Sequence, residues 1–312
     1  MIRYLLRRVA NAALLLLCVS AITFVLLDLA PGDPAAMLLG QDYTEAGHAQ
    51  LSAELGLDKP LHVRYTRFLT GALHGDFGKS FETGRPVVQE LRSVLPATLS
   101  LALASILVAV AIGVPIGVTS AVRQNSYLDK GIRFIVMIAV SLPIFWLGLM
   151  MIYLFSVVLN LLPAFGRDGW RSLILPAATM SCYSLAIIVR MTRSSMLEVL
   201  RQDYITTARA KGLPEPMVIY KHALRNALLP VVTIIGLQFG VLLGGAVITE
   251  TIFAWPGLGR LLVQGIFARD YPVIRMGILV IAGFFIVINM LTDVMYGLIN
   301  PTVSLGRRAR AR

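Results

Sequence analysis

Residues 200–230 have the sequence LRQDYITTARAKGLPEPMVIYKHALRNALLP, and we call this segment the elbow. It decides how the fold of this chain is interpreted. It is the only long polar and basic segment of a mostly apolar sequence, and its five Lys and Arg residues are opposed by two acidic ones. Gly212 predicts a helix end, because glycine accepts the left-handed conformation that follows a helix and Pro214 cannot continue one. Pro216 suits the first turn of a second helix, where its missing N–H is not needed. We therefore predict a helix, a sharp break and a second helix.

Apolar segments lie on both sides of the elbow. Of the 312 residues, 57% are hydrophobic and 14% are charged, which is not the composition of a soluble globular domain. Six segments are long enough to cross about 30 Å of hydrocarbon at about 1.5 Å per residue. They lie at residues 9–29, 97–122, 134–160, 173–189, 227–249 and 273–298. The sequence therefore predicts an all-α polytopic membrane protein with six transmembrane helices and with the elbow between the fourth and the fifth.

The distribution of basic residues predicts the orientation of the chain, whose net charge is +11. If the N-terminus is cytoplasmic, the inner segments carry 17 Lys and Arg residues and the outer segments carry five. The long first loop is set aside in this comparison, because loops of its length translocate regardless of charge. The bias predicts that both termini and the elbow are cytoplasmic. Topology thus explains the basicity, and no nucleic-acid partner is expected.

The predicted topology divides the chain into four parts. Residues 1–29 form the cytoplasmic N-terminus and the first helix, and residues 30–96 form a large extracytoplasmic loop. Residues 97–298 form a core of five helices that includes the inner loop 190–226. Residues 299–312 form a basic cytoplasmic tail.

Within the outer loop, apolar residues at helical spacing predict one amphipathic helix. Its stripe consists of Leu61, Tyr65, Phe68, Leu69 and Leu73, with Arg64 and Arg67 expected to lie off the stripe. Such a helix can lie on the membrane, cover the mouth of a pathway, meet an outer partner or simply belong to a folded loop. The sequence leaves these alternatives open.

The elbow resembles the EAA loop of bacterial ABC-importer permeases. Residues 203–213 resemble the form that this loop takes in the peptide and nickel branch, Asp-Tyr-Ile-x-Thr-Ala-Arg-Ala-Lys-Gly-Leu. Thr206, Thr207, His222 and Arg225 depart from the general family pattern and look like the variant of that branch. The alternative interpretation is a basic loop that only fixes the topology.

Other segments carry the same resemblance, which covers essentially the whole chain. Parts of residues 55–80 resemble the outer loop of peptide-branch permeases. Residues 249–260 resemble the signature Glu-x-x-Phe-x-x-Pro-Gly-Leu-Gly that follows the fifth span in that branch. Residues 293–301 resemble the closing Asp-x-x-Tyr-x-x-x-Asp-Pro-Arg, although Asn300 and Thr302 replace the usual acidic and basic residues.

The resemblance implies a permease subunit of a binding-protein-dependent ABC importer in the bacterial cytoplasmic (inner) membrane, forming half of a translocation pathway. The implied partners are the lipid bilayer, a second homologous permease, two ATPase subunits or one dual ATPase, and an extracytoplasmic substrate-binding protein. ATP and Mg²⁺ are then bound by the ATPase partners, and no cofactor or metal is expected in this chain. The cargo is left open among dipeptides, oligopeptides, glutathione and nickel complexes.

Two sets of candidate site residues are predicted, the first from the resemblance and the second from the glycine spacing and the few polar residues of the fifth span. The set for coupling to the ATPase lies in the elbow and consists of Thr207, Ala208, Arg209, Lys211, Gly212 and Leu213. The set for the translocation pathway lies in the fifth span and consists of Thr233, Gly236, Gln238, Gly240 and Gly244. The glycine spacing predicts a smooth stripe along one helix face, which suits a tight packing seam as well as a pathway.

Two other functional classes fit the sequence less well. An ion- or proton-coupled secondary transporter usually places ionisable groups near mid-membrane, whereas here the acidic and His residues lie at span ends or outside the spans. An enzyme needs a nucleophile–base pair or a metal cluster, and the sequence shows neither. Gly78-Lys79-Ser80 looks like the end of a nucleotide-binding P-loop, but Leu73 stands where that motif needs glycine. We expect a non-catalytic subunit.

Overall fold

The structure is a computed structural model that describes the backbone of residues 2–299 and the side chains of residues 8–292. Helices dominate it, and in this part of the chain extended pairing is limited to one isolated bridge between Lys79 and Pro86. The predicted all-α class is therefore confirmed. Of the predicted tail, 299–312, only the backbone of residue 299 is described, and the cytoplasmic placement of both termini stays a prediction.

Thirteen α-helices follow one another along the described chain, with short 3₁₀ and π turns beside some of them. Their bounds are α1 Ile2–Leu29, α2 Pro34–Leu39, α3 Glu45–Leu55, α4 Leu61–Leu73, α5 Val87–Val122, α6 Tyr127–Ser141, α7 Ile144–Met151, α8 Arg171–Leu200, α9 Asp203–Ala210, α10 Glu215–Met217, α11 Leu224–Ile252, α12 Leu258–Ala268 and α13 Tyr271–Ile299. The 3₁₀ turn is Gly40–Asp42, and the π-helical turns are Ile152–Val158 and Val218–Ala223.

Five helical segments in the described part of the chain are long and apolar enough to cross a membrane, and a bent pair of helices makes a sixth if it counts as one span. The prediction of six transmembrane helices is thus matched by five or six candidate spans. Two helices are longer than predicted, since α5 begins at Val87 rather than at residue 97, and α8 continues to Leu200 rather than ending at residue 189. Hydropathy marks only the apolar part of each helix, whereas backbone hydrogen bonding continues into its polar ends.

The third predicted span, residues 134–160, is not one straight helix. The axes of α6 and of α7 with its π-helical extension differ by 102°. The cause lies between them, because Leu142 is extended, with φ −77° and ψ 130°, as the residue before a proline prefers. Pro143 then has no N–H with which to continue α6. The pair is either a broken span or a re-entrant loop.

The described residues form two compact units, one of residues 2–98 with 254–286 and the other of residues 99–253 with 287–299. In the second unit, α8 is the central helix, and α6, α7 and α11 all pack against it. Side chains that point in several directions from α8 are buried, among them Leu175, Ala186 and Met196. The helices next to the elbow are therefore held together around α8.

In the first unit, the predicted amphipathic helix is present as α4. Phe24 of α1 is buried against Tyr65 of α4, with 5.3 Å between the ring centroids. The prediction that Arg64 lies off the contact face is wrong, because its Nη1 donates to Asp28 Oδ1 of α1 at 2.6 Å. Leu73, predicted to belong to the stripe, is exposed. Helical spacing does not reveal that an acidic partner on α1 favours an inward arginine.

The helix α12, also in the first unit, is an element that the hydropathy pattern does not separate from its surroundings. The connection that leads into it is fixed by two buried hydrogen bonds. Trp255 Nε1 donates to the carbonyl oxygen of Ala97 at 2.9 Å, and the Leu258 N–H donates to Thr98 Oγ1 at 2.7 Å. Within the segment 249–260, singled out in the sequence, residues 255 and 258 therefore have a clear structural role against the third turn of α5.

Candidate functional site: the elbow and helix α11

The backbone of the elbow has the predicted helix–break form. α9 ends at Ala210, and Gly212 follows in the left-handed region with φ +76°. The N–H groups of Lys211 and Gly212 donate to the carbonyls of Thr207 and Arg209 at 3.0 and 2.9 Å, which closes the last turn. The chain then turns, and α10 begins with a proline in its first turn, as predicted.

The second part of the elbow differs from the prediction of a separate helix. α10, the π-helical turn and α11 form one continuous helical segment, Glu215–Ile252, of 38 residues. The junction residues Val218 and Leu224 keep helical dihedrals, with φ and ψ of −60° and −46°, and of −59° and −42°. The second helix of the elbow is thus the first part of the helix that forms the fifth apolar segment.

A buried apolar cluster anchors the elbow, and we call it the elbow core. Ile205 and Ala208 of α9 enter it from one side. Its other fully buried members come from α5, α8 and the continuous helix, and they are Val118, Ala121, Met196, Val218, Ile219, Ala223 and Ala227. Leu213, in the turn, is partly buried against the same cluster. The elbow is therefore attached to the ends of three long helices rather than being a free loop.

The six predicted coupling residues are divided between this core and the surface. Ala208 faces the elbow core, and Leu213 is half-buried against it, so neither presents its full side chain outward. The other four, Thr207, Arg209, Lys211 and Gly212, are exposed and lie together in the last turn of α9 and the turn after it.

An ion pair ties the two arms of the elbow across this turn. Arg209 Nη2 and Nε donate to Glu215 Oε1 and Oε2 at 2.7 and 3.2 Å. This hydrogen bonding raises the pKa of Arg209 above its usual range. Exposed ion pairs contribute little to stability, about 0–1 kcal/mol. The pair does, however, neutralise Arg209 locally, so that Lys211 is the exposed basic side chain at the tip of the turn.

A second polar network near the elbow is one that sequence reasoning missed. Asp129, in the first turn of α6, is fully buried and accepts from Arg193 Nε and Nη2 at 2.8 and 2.9 Å. It also accepts from Ser120 Oγ at 2.5 Å and from the Asn125 N–H at 3.0 Å. The sequence contains a signal for the start of α6, because Ser126 is a helix cap that accepts from the Asp129 N–H. It contains no signal for the partner of Asp129 on α8, Arg193, which lies 64 residues away. The network joins α5, α6 and α8.

The five candidate pathway residues do not form one exposed stripe on α11. Gly236 is a packing residue, since a Cβ there would lie 2.0 Å from Thr292 Oγ1 of α13. Gln238 is buried and its Nε2 donates to Ser184 Oγ of α8 at 3.2 Å. Gly240 is buried and Gly244 is exposed.

Thr233, the remaining member of the set, has a buried Oγ1 with no hydrogen-bond partner among the described residues. The structure also gives no sign of a metal site in that part of the chain, because no three His, Cys, Asp or Glu side chains gather there. The geometry is that of a basic, helix-anchored elbow beside a packed helical core.

Comparison with known proteins points to one family. Residues 113–305 match the family model described as binding-protein-dependent transport system inner membrane component. Residues 1–102 match the model described as the N-terminal part of the binding-protein-dependent transport system membrane component. Together the two models cover nearly all of the chain.

Curated relatives match over almost the full length. The dipeptide transport system permease protein DppB of Alkalihalophilus pseudofirmus is 43% identical over 97% of this chain and 99% of the relative. The glutathione transport system permease protein GsiC of Salmonella paratyphi A is 44% identical over the same shares. Among solved structures, a chain of the inward-facing MetNI methionine ABC transporter superposes with a TM-score of 0.60 at 21% identity, covering 68% of this chain and 97% of that one. This last likeness shows the fold alone.

Proposed function

The chain belongs to the family of binding-protein-dependent transport system inner membrane components, and from this premise we propose its cargo and its means of coupling. It is a permease of an ABC importer in the bacterial inner membrane. We propose that the cargo is a short peptide. The observation that carries this proposal is the almost equal identity, over 97% of the chain, to one relative named for dipeptides and to another named for glutathione, itself a short peptide.

We propose that the chain forms half of the translocation pathway and that a second, homologous permease forms the other half. An extracytoplasmic binding protein delivers the cargo, and two ATPase subunits, or one dual ATPase, bind ATP and Mg²⁺. In this scheme the chain itself is non-catalytic. Gly244 is the candidate pathway residue best placed to face the cargo, since Gly236 and Gln238 are engaged in helix packing.

We propose that the elbow carries the coupling between the ATPase and the membrane helices. Its exposed turn offers Thr207, Arg209, Lys211 and Gly212 to the ATPase, while Ala208 and Leu213 hold that turn on the elbow core. Because the core includes side chains of α5 and α8, and because Glu215–Ile252 is continuous, a push on the turn moves several spans as one body. Arg209 is paired with Glu215, so Lys211 is the side chain expected to meet acidic groups of the ATPase.

The cargo is tested by uptake into proteoliposomes that contain this chain with its second permease, its ATPases and its binding protein. We expect ATP-dependent uptake of a radiolabelled dipeptide, with unlabelled glutathione or oligopeptides as competitors to define the preferred length. Uptake of nickel complexes with no uptake of any peptide would contradict the peptide proposal. Uptake that follows an ion gradient and ignores ATP would indicate a secondary transporter instead.

The coupling role is tested with Lys211→Glu and the matched control Lys130→Glu, which reverses an exposed charge on α6. An interface between like charges is opposed by several kcal/mol, and about 1.4 kcal/mol already corresponds to tenfold in binding. We expect Lys211→Glu to lower both ATPase retention and ATP-dependent uptake at least tenfold, with little effect of Lys130→Glu. Equal uptake by the two variants would contradict the coupling role and would indicate that the elbow is only a basic loop that fixes the topology.

A further inference from the structure

A groove between α6 and α8, in the second unit, is not used by the proposed coupling or pathway. Its volume is about 450 Å³. The residues that define its character are Arg133, Arg190 and Arg193 at one end, and Val136, Met137 and Val140 along its wall. The groove is therefore basic at one end and apolar along its length.

The basic end carries more positive charge than the described residues neutralise. Arg193 is held by Asp129 through Nε and Nη2, which leaves its Nη1 free of that contact. Arg133 lies 3.7 Å from the same carboxylate through its Nε, but its side chain is 51% exposed. Arg190 is exposed, and no ion pair to it is found among the described residues. Two of the three guanidinium groups, those of Arg133 and Arg193, thus share one carboxylate, and Arg190 adds a third positive charge.

The apolar wall continues from the basic end into the hydrophobic part of the two helices. Asp129 of α6 contacts Arg193 of α8, and Val136, further along α6, packs with Ala186 and Val189, which come earlier in α8, so the two helices run antiparallel here. Residues 133 to 140 of α6 therefore cover about 10 Å at about 1.5 Å per residue, in the direction in which residues 193 to 189 of α8 cover about 6 Å. Met137 is 59% exposed on this wall. An occupant must be anionic at one end and apolar along about 10 Å.

We propose that this groove binds an anionic phospholipid, with its phosphate at the three arginines and an acyl chain along Val136, Met137 and Val140. Guanidinium groups match phosphate oxygens in a bidentate geometry. The charge bias of the sequence puts this end of α6 and α8 on the cytoplasmic side, where anionic lipids attract basic side chains and where basic pockets between transmembrane helices bind their head groups. Charge complementarity thus favours lipid over an uncharged partner helix.

The test uses the full importer, purified in mild detergent, and the water-soluble probe dioctanoyl phosphatidylglycerol. The variants are Arg133→Gln and Arg190→Gln, singly and together; Arg193 is left intact because it partners a buried acid. The matched control is the pair Arg123→Gln and Arg201→Gln, which removes the same charge from exposed sites outside the groove. Each arginine near a lipid surface contributes about fivefold in affinity.

We expect each single groove variant to bind the probe about fivefold more weakly and the double variant about 25-fold more weakly, with the control pair unchanged. Lipid mass spectrometry should show the same loss of retained phosphatidylglycerol and cardiolipin, but not of phosphatidylethanolamine. Equal weakening by the control pair would overturn the proposal, and so would full competition by inorganic phosphate, since the apolar wall would then have no role. A cysteine at Met137 that cross-links efficiently to the second permease would show a protein occupant and would overturn it as well.

Discussion

Residue 212 illustrates a position where the backbone conformation matters more than any contact. Gly212 has φ +76°, and a Cβ there would meet no atom within 4 Å. A bulky residue in this region costs roughly 1–2 kcal/mol, whereas Asn tolerates it. We predict that Gly212→Val lowers ATP-dependent uptake several-fold and that Gly212→Asn retains most of it, as measured in proteoliposomes with all partner subunits present. If both variants behaved alike, a steric contact with the ATPase and not backbone strain would be the reason for glycine.

The buried pair Asp129–Arg193 allows a second prediction at the same scale. Removing one partner of a buried ion pair leaves the other charge uncompensated, at a cost of about 3 kcal/mol or more. We predict that Asp129→Asn lowers the thermal unfolding temperature of the detergent-purified importer by several degrees. The double variant Asp129→Asn with Arg193→Met should recover part of the loss, because the guanidinium group of Arg193 is then no longer left without its acidic partner, whereas Arg133 is half-exposed to solvent. Unchanged unfolding in the single variant would show that the network is not a structural link between α6 and α8.

Single residues also show where sequence reasoning reaches its limit. The position of Gly212 was predictable because the conformational freedom of glycine is a local property. The burial of Ala208 was not, because it depends on Val118 and Met196, which come from distant helices. The Asp129–Arg193 pair was hidden for the same reason, since an ion pair between helices leaves no local spacing pattern.

At the scale of one helix, α11 tests the interpretation of the glycine stripe. A Cβ on Gly236 would lie 2.0 Å from Thr292 Oγ1, whereas a Cβ on Gly245 would meet open space. Overpacking of this kind costs about 1–3 kcal/mol, while alanine in an open helical site is favourable by roughly 0.5–1 kcal/mol. We predict that Gly236→Ala lowers the unfolding temperature and that Gly245→Ala does not.

The control for this prediction is Thr292→Ala in the Gly236→Ala background, which removes two of the three atoms that an added Cβ would meet. Partial recovery of stability is expected. If Gly236→Ala instead left stability unchanged and altered only cargo uptake, the residue would belong to the pathway and not to a packing seam.

Helix boundaries show the same limit at a larger scale. A proline such as the one at residue 143 marks a kink or an end of a helix, but it gives no angle, whereas the structure shows a bend of 102° with α7 packed against α8. Pro214 indicated the end of one helix and Pro216 the start of the next, but neither showed that the second helix continues into α11. Residues such as proline indicate where a chain bends, and tertiary packing determines the angle of the bend.

For the whole molecule, hydropathy and charge were enough to predict an all-helical, multi-pass membrane protein, because lipid imposes one requirement on every span. The resemblance of the elbow and of segment 249–260 was enough to predict the importer family, and comparison with relatives confirms it. The cargo could not be predicted, because in the proposed importer the chain supplies only half of the pathway and we expect the binding protein to select the solute.

The central claim is that this chain works as a permease driven by ATPase partners through its elbow. The most direct measurement is to purify the tagged chain gently from its native membrane and to identify the bound proteins by mass spectrometry, for the natural sequence and for Lys211→Glu. We predict a second permease and ATPase subunits with the natural sequence, and selective loss of the ATPase subunits with the variant. Recovery of the chain alone or as a homo-oligomer, with transport that persists without ATP, would contradict the account.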